Sequence, residues 1–283
     1  MKILFTLTAV LTFVSAAHGA PPETVHFQSL DGKTMLVAYL FHPESGRGEK
    51  APAIVMLHGR AGPYSSLAKG VYDANTLSKR HKEWGDFWAA RGYFALLVDS
   101  FGPRGFPEGF ARGSYDERPA EVSEQTVRPL DAYAALKFLR GRRNVNPEAI
   151  GVQGWSNGAM TVLVTMGSNP PGLAEPSTSS GFRAGLAEYP GCGIDAIKED
   201  YRNYAPLVMM LGSADEEVSP ERCQKWAAKA KKSGSEIQVI LYEGAEHNFD
   251  DPSAKKQANP ANHKATEDAM RQAEDFFSQH LKQ

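Results

Sequence analysis

The sequence predicts an α/β domain, an open and mostly parallel sheet with helices on both faces. Three observations predict it. Continuous apolar runs such as Ala53-Ile54-Val55-Met56-Leu57 and Tyr93-Phe94-Ala95-Leu96-Leu97-Val98 read as strands buried on both faces. Helix-period segments alternate with such runs along the chain, the order that builds parallel sheets through crossovers. Every candidate chemical residue, namely His58-Gly59, Asp99, Ser156, Asp215 and His247, follows a predicted strand. That is where an open α/β sheet binds its ligand.

The chain opens with a short basic start and an apolar run from Ile3 to about Val14, then the small-residue stretch Ser15-Ala16-Ala17-His18-Gly19-Ala20. Residues 1–20 read as a secretory signal peptide. Ser15/Ala17 and Ala17/Gly19 both satisfy a small-x-small rule, so cleavage falls between 17 and 20 at a site left open. An uncleaved anchor is the alternative, although the run is short for a membrane span. The remainder, residues 21–283, is roughly 260 residues, enough for one large domain. The formal net charge of −2 argues against a nucleic-acid or anionic-membrane partner.

Thr24–Leu30 and Lys33–Phe41 read as two strands joined by the hairpin signal Asp31-Gly32. Ser45 to Pro52 is a polar turn leading to the strand Ala53–Leu57, which ends at His58-Gly59-Arg60-Ala61-Gly62-Pro63. Thr76–Arg91 reads as a helix with Leu77, Trp84, Phe87 and Trp88 inward, closed by Gly92. After the strand Tyr93–Asp99, the stretch Ser100–Pro119 is long and irregular, and its aromatic and arginine content favours an ordered flap. Val122–Leu139 reads as a helix, with Pro129 either kinking it or marking its true start. Ala149–Val152 is a strand and Ala159–Thr165 a helix; Gly167–Gly181 is an excursion. Phe182–Tyr189, Pro206–Gly212 and Glu236–Tyr242 are strands, and Pro220–Lys232 is a helix. Ala261–Lys282 is a terminal amphipathic helix with Ala265, Ala269, Ala273, Phe276 and Phe277 inward.

The chemistry centres on Gly154-Trp155-Ser156-Asn157-Gly158 between strand and helix, the setting of a nucleophile elbow. A plain Gly-rich turn is the alternative. A serine hydroxyl needs a neutral imidazole as base, and the imidazole needs a carboxylate to fix its tautomer. His247 after the last strand is the candidate base, or else an exposed loop histidine. Asp215 is the candidate acid, with a helix-capping role as its alternative. Glu216, Glu217 and Glu188 are rivals, the first two read as solvated. Chain order Ser156, Asp215, His247 is that of α/β-hydrolases. Two amides should hold the oxyanion: that of Asn157, and one from the His58-Gly59-Arg60 loop, assigned to Arg60 with Ala61 as the alternative. His58 itself reads as a structural group bonding loop backbone.

His26, His42, His81, His263 and His280 have no placed partner and read as surface or packing residues. Arg104 and Arg112 either grip a substrate carboxylate or pair with Glu108, Asp116 or Glu117. Tyr64, Phe101, Phe106 and Trp155 either line a substrate pocket or belong to the core. Cys192 and Cys223, the only cysteines, read as a disulfide in an exported protein, against two buried free thiols. The bond closes a long loop and stabilises by roughly 3 kcal/mol on the chain-entropy model. Neither cysteine sits in a metal-binding cluster, so no metal is expected.

These residues resemble the dienelactone hydrolase family of α/β-hydrolases. The likeness runs from His58-Gly59 through Asp99-Ser100-Phe101-Gly102-Pro103-Arg104-Gly105, the Ser156 elbow, Asp215 and His247-Asn248-Phe249. Tyr189-Pro190-Gly191-Cys192 also looks like exported members. Members that open dienelactones use a cysteine nucleophile, and Ser156 stands here instead. The resemblance therefore implies a broader hydrolase of carboxylic esters or lactones, periplasmic or secreted, acting on a small molecule without a cofactor. A prolyl-oligopeptidase-like peptidase shares the elbow but usually carries an N-terminal propeller that this chain lacks. A non-catalytic binding protein retaining the fold is the third reading.

Overall fold

A computed structural model describes residues 21–44, 50–197 and 200–282. The predicted signal peptide, residues 1–20, and most of the polar turn after Pro43 lie outside the described residues. Eight strands form one sheet: β1 (Glu23–Gln28), β2 (Met35–Phe41), β3 (Ala51–Leu57), β4 (Phe94–Asp99), β5 (Val145–Trp155), β6 (Gly185–Glu188), β7 (Leu207–Gly212) and β8 (Ile237–Tyr242). Their order is β1-β2-β4-β3-β5-β6-β7-β8. β1 and β2 pair antiparallel and β2 meets β4 antiparallel. From β4 to β8 every pair is parallel. Six parallel strands therefore present their carboxyl ends along one rim.

Alternation along the strands builds two cores. Ala53, Val55 and Leu57 of β3 face one side, and Ile54 and Met56 face the other. The first side is covered by α2 (Arg128–Arg140), α3 (Asn157–Thr165) and α4 (Pro220–Lys232). The second is covered by α1 (Lys79–Ala90) and, past the short α5 (Ala254–Gln257), by α6 (Pro260–Leu281). In α6 the buried positions Ala265, Ala269, Ala273, Phe276 and Phe277 recur at helical spacing. In α1, Trp84 and Trp88 do the same, while Phe87 is only partly buried.

Local chemistry sets the ends. Ser78 caps α1, accepting from the His81 amide. Ser219 caps α4, with Pro220 in the first turn and Lys229, Lys231 and Lys232 in the last. Pro129 marks the true start of α2 rather than a kink. Ala120–Val122 is a single 3-10 turn and residues 123–127 form a further turn, in which the amides of Val127 and Arg128 both reach the Ser123 carbonyl. β5 is longer than predicted and absorbs Pro147 through an irregularity in its register with β3. β6 is shorter, since Tyr189 already turns at φ +42.

Cys192, in the loop after β6, is disulfide-bonded to Cys223 in the first turn of α4, with Cα atoms 5.1 Å apart. The link joins the exits of two neighbouring strands. Replacing both cysteines by alanine is expected to lower unfolding stability by about 3 kcal/mol. Urea unfolding of the variant and the parent measures it, and an unchanged midpoint would mean the link constrains nothing.

Candidate active site

The loops after the parallel strands meet around Ser156. Its backbone sits at φ 50, ψ −110, a region that residues with a Cβ occupy only when the surroundings hold them there. The surroundings do. The Ser156 amide donates to the Glu188 carbonyl at 2.9 Å, and the Ser156 carbonyl accepts from Met160. A Cβ at 158 would land on the Leu57 carbonyl at the end of β3, and one at 154 on the Gly158 backbone. Glycine at both positions lets α3 start against the strand ends.

His247, delivered by the loop after β8, brings Nε2 to 3.1 Å from Ser156 Oγ. Its Nδ1 lies 2.7 Å from Asp215 Oδ2. Asp215 Oδ1 accepts from the amides of Glu217 and Val218 at 2.8 and 2.9 Å. A carboxylate so occupied requires the imidazole proton on Nδ1, which leaves the Nε2 lone pair facing the serine. Both side chains are 1% exposed. The cap of α4 is Ser219, so Asp215 is not spent on capping.

A second layer holds the imidazole. Tyr189 places its ring edge-on to His247 at 4.8 Å and donates its hydroxyl to Asp250 at 2.5 Å. Asp250 also accepts from Trp84 Nε1 at 3.0 Å and lies 3.5 Å from Arg80 Nε. Arg80 reaches on to Asn248 and Asp251. Glu188 is wholly buried beside this group, and burial together with the Asp250 charge holds its carboxyl well above the usual range.

On the other side of Ser156, the loop after β3 runs close: a Cβ on Gly59 would stand 3.6 Å from the Ser156 Cβ. His58 is fully buried. Its Nε2 accepts from the Ser100 amide at 3.2 Å, so Nδ1 carries the proton and donates to the Gly59 carbonyl at 2.7 Å. That carbonyl belongs to the peptide whose N–H is the Arg60 amide. Burial, reinforced by the Arg128 charge, keeps the His58 ring neutral. The Asn157 amide opens α3, where no earlier helical carbonyl accepts it.

The cavity beside these groups measures about 400 Å3. Its wall includes Arg60, Tyr64, Ser65, Ser78, Arg80 and His81 together with Ser156 and His247. Tyr64 is there by its ring; its hydroxyl is taken by Tyr39 and Asp99. Three residues read as substrate-binding candidates lie elsewhere. Arg104 is locked by Asp131, Asp31 and the Ser100 carbonyl, all at 2.7–2.8 Å. Phe101 and Trp155 are fully buried, Phe101 against His58 and Trp155 against Trp84. Arg112 is exposed and turned to the Glu216 carbonyl and Glu217, not to Glu108, Asp116 or Glu117.

Glu217 is not solvated as its sequence setting suggests. Arg60 grips both its oxygens at 2.9 and 3.2 Å, and Oε2 comes within 3.8 Å of His247 Nε2. Burial opposes its charge, but Arg60, His247 and Arg112 hold the carboxyl below its ordinary range. Glu216 receives the His247 amide at 3.1 Å. His81 lines the cavity rather than lying on the surface. Its Nδ1 donates to the Pro63 carbonyl at 2.9 Å. Among the described residues no group of three His, Cys, Asp or Glu is placed to hold a metal ion.

A family model described as the dienelactone hydrolase family matches residues 36–281. Protein usf of Aquifex pyrophilus is 24% identical over 255 residues, covering 86% of this chain and 93% of that protein. Among solved structures, a candidate dienelactone hydrolase from Klebsiella pneumoniae superposes with a TM-score of 0.68 at 13% identity, over 91% of this chain and 98% of that one. Esterase 2 of Thermogutta terrifontis, in its paraoxon-phosphorylated form, superposes with a TM-score of 0.62 at 19% identity, over 92% of this chain and 94% of that one.

The buried cavity wall carries a pH signature. Burial, then the neighbouring Arg80, pushes His81 down to about 4 from an ordinary 6.5. Between those values the unfolded chain binds the extra proton, so this residue's contribution to stability falls as pH falls through the window. Glu188, with its raised carboxyl, works in the opposite sense, which makes the informative comparison parent against variant. His81→Gln is expected to flatten the slope of unfolding free energy with pH by up to about 1.4 kcal/mol per unit. Urea unfolding at several pH values from 7 to 4.5 reads it; an identical slope would show the ring already charged in the folded protein.

Proposed function

The chain belongs to the dienelactone hydrolase family, and from that premise we propose that it is an exported serine hydrolase of small carboxylic esters or lactones, with Ser156, His247 and Asp215 as its triad. The observation that carries the reading is the unbroken hydrogen-bonded line from Ser156 Oγ through His247 to Asp215, at 3.1 and 2.7 Å.

On this reading Ser156 Oγ attacks the ester carbonyl as its proton passes to His247 Nε2. The carbonyl π electrons move onto oxygen, and the anion is held by the amides of Asn157 and Arg60. The intermediate collapses, the bond to the alcohol oxygen breaks, and His247 returns its proton to that oxygen. Water, deprotonated by the same nitrogen, then attacks the acyl-serine; the bond to Ser156 Oγ breaks, His247 returns the proton to Oγ, and the carboxylic acid leaves. Asp215 stays ionised throughout and stabilises the imidazolium. For a lactone the released alcohol and acid are one molecule. Every group needed is a side chain or amide of this chain, so the proposed reaction involves no cofactor.

Export rests on the small-residue stretch before residue 20 and on the disulfide, a bond that persists in oxidising compartments. Among the described residues no helix is long and apolar enough to cross a membrane.

The cavity wall bears on substrate size. No Leu, Ile, Val, Met or Phe is among its lining residues, which are chiefly Gly, Ser, Arg and other polar groups. Such a wall gives a long acyl chain no aliphatic side chain to pack against.

Ser156→Ala and His247→Ala are each expected to lower kcat on p-nitrophenyl acetate by about six orders of magnitude, as loss of the serine or histidine of a triad does. Full activity in Ser156→Ala would end the proposal, and so would activity on aminoacyl amides without activity on esters. Across a p-nitrophenyl series, kcat/KM is expected to be highest for acetate to butyrate and to drop at octanoate and beyond. A steady rise with chain length would contradict the reading of the wall.

A further inference from the structure

The proposed oxyanion site has two sides, the Gly59–Arg60 peptide and the Asn157 amide, and a buried guanidinium stands behind each. Arg128 is fully buried and donates from Nη2 to the His58 carbonyl at 2.6 Å. Its Nε and Nη1 have no hydrogen-bond partner, and it lies over the Phe101 ring at 5.0 Å. Arg118, with a side chain 6% exposed, donates from Nη1 to Asn157 Oδ1 at 2.8 Å and to Glu124 at 3.1 Å. Both arginines come from one short segment, Arg118 at the end of the flap and Arg128 at the start of α2.

Two features set this pair apart from ordinary structural ions. The first is charge balance. Glu124 is the carboxylate in ion-pair contact with Arg118, and among the described residues none is in such contact with Arg128. Asp131 is engaged by Arg104 instead. The second is cost. Burial brings Arg128 down to about 10, against the opposing pull of Glu124 and Asp131. An apolar side chain of similar size would fill the same space without stranding a cation. Unbalanced buried charge of this kind gathers at functional sites.

We propose that Arg118 and Arg128 are positioning residues for the oxyanion site. Arg128 fixes the loop at His58, whose ring in turn fixes the carbonyl of the peptide carrying the Arg60 amide. Arg118 fixes Asn157 at the first turn of α3. The Arg128 guanidinium, which no carboxylate contacts directly among the described residues, also favours a tetrahedral anion over a neutral ester, because nearby fixed charge in a water-poor site is weakly screened. The inference rests on the proposed roles of Ser156 as nucleophile and of the two amides as donors.

The test compares a p-nitrophenyl oxoester with its thionoester, in which sulfur replaces the carbonyl oxygen. The larger, weaker-accepting sulfur gains little from well-placed donors, so a well-ordered site gives a high ratio of oxoester to thionoester kcat/KM. Arg118→Met and Arg128→Met are each expected to lower oxoester kcat about tenfold or more, a fraction of what losing a donor outright costs. KM should move little and the thionoester rate much less, so the ratio shrinks. Arg118→Lys is expected to recover part of the ratio. Because both rates come from one preparation, the ratio is independent of how much of a variant folds. A parental ratio in Arg118→Met and Arg118→Lys overturns the inference, whatever the absolute rates. Full ester hydrolysis by Ser156→Ala instead removes the reading beneath it, so the two failures are told apart.

Discussion

The constraint on which the site depends is steric and purely backbone: α3 begins so close to the ends of β3 and β5 that position 158 has no room for a Cβ against the Leu57 carbonyl. That approach forces the chain to turn sharply at Ser156 and leaves its φ positive. It also brings Gly59, at the exit of β3, against Ser156. Ser156 and the loop after β3 are thus neighbours because two strands and a helix pack without side chains between them.

Buried charge around the serine is divided by sign. Behind His247 lie the acidic groups Glu188 and Asp250, tied through Gln153, Tyr189 and Trp84 and answered by Arg80. Behind the oxyanion loop and the first turn of α3 lie Arg128 and Arg118. On the proposed function this arrangement has a direct chemical sense. An imidazolium forms against the Asp215 carboxylate, and an alkoxide forms on the side backed by the Arg128 and Arg118 guanidiniums.

The strands, the elbow and the spacing of its partners were legible because each is written in local pattern. Apolar runs mark β3, β4 and β7, and glycines bracket Ser156. Strand-exit positions mark Asp215 and His247. What stayed hidden depends on pairing across distance. Arg104 and Arg112 look alike in a flap sequence, yet one is locked by Asp31 and Asp131 and the other is exposed. Glu217 reads as one of two adjacent surface carboxylates until Arg60 is brought to it by the sheet. Arg118 and Arg128 had only weak signals, a basic residue in an aromatic flap and another just before a helix-opening proline. Tyr189 stood out only as part of Tyr189-Pro190-Gly191-Cys192; its place against His247 was hidden, since a positive φ for tyrosine is not predictable from its neighbours. His81 read as either a surface or a packing residue, because helical spacing alone does not say which loops will cover the start of α1.

The pairing of Arg104 has a consequence at a distance. Its carboxylate partner Asp31 sits in the turn of the first hairpin, and Asp131, its other partner, is also gripped by Ser29 from the same turn. The family match begins only at residue 36, past that turn. Truncating the chain to the matched span would remove Asp31 and Ser29 and leave Arg104 with Asp131 and the Ser100 carbonyl alone. A surface turn thereby tunes how firmly the aromatic flap is held beside the strand ends.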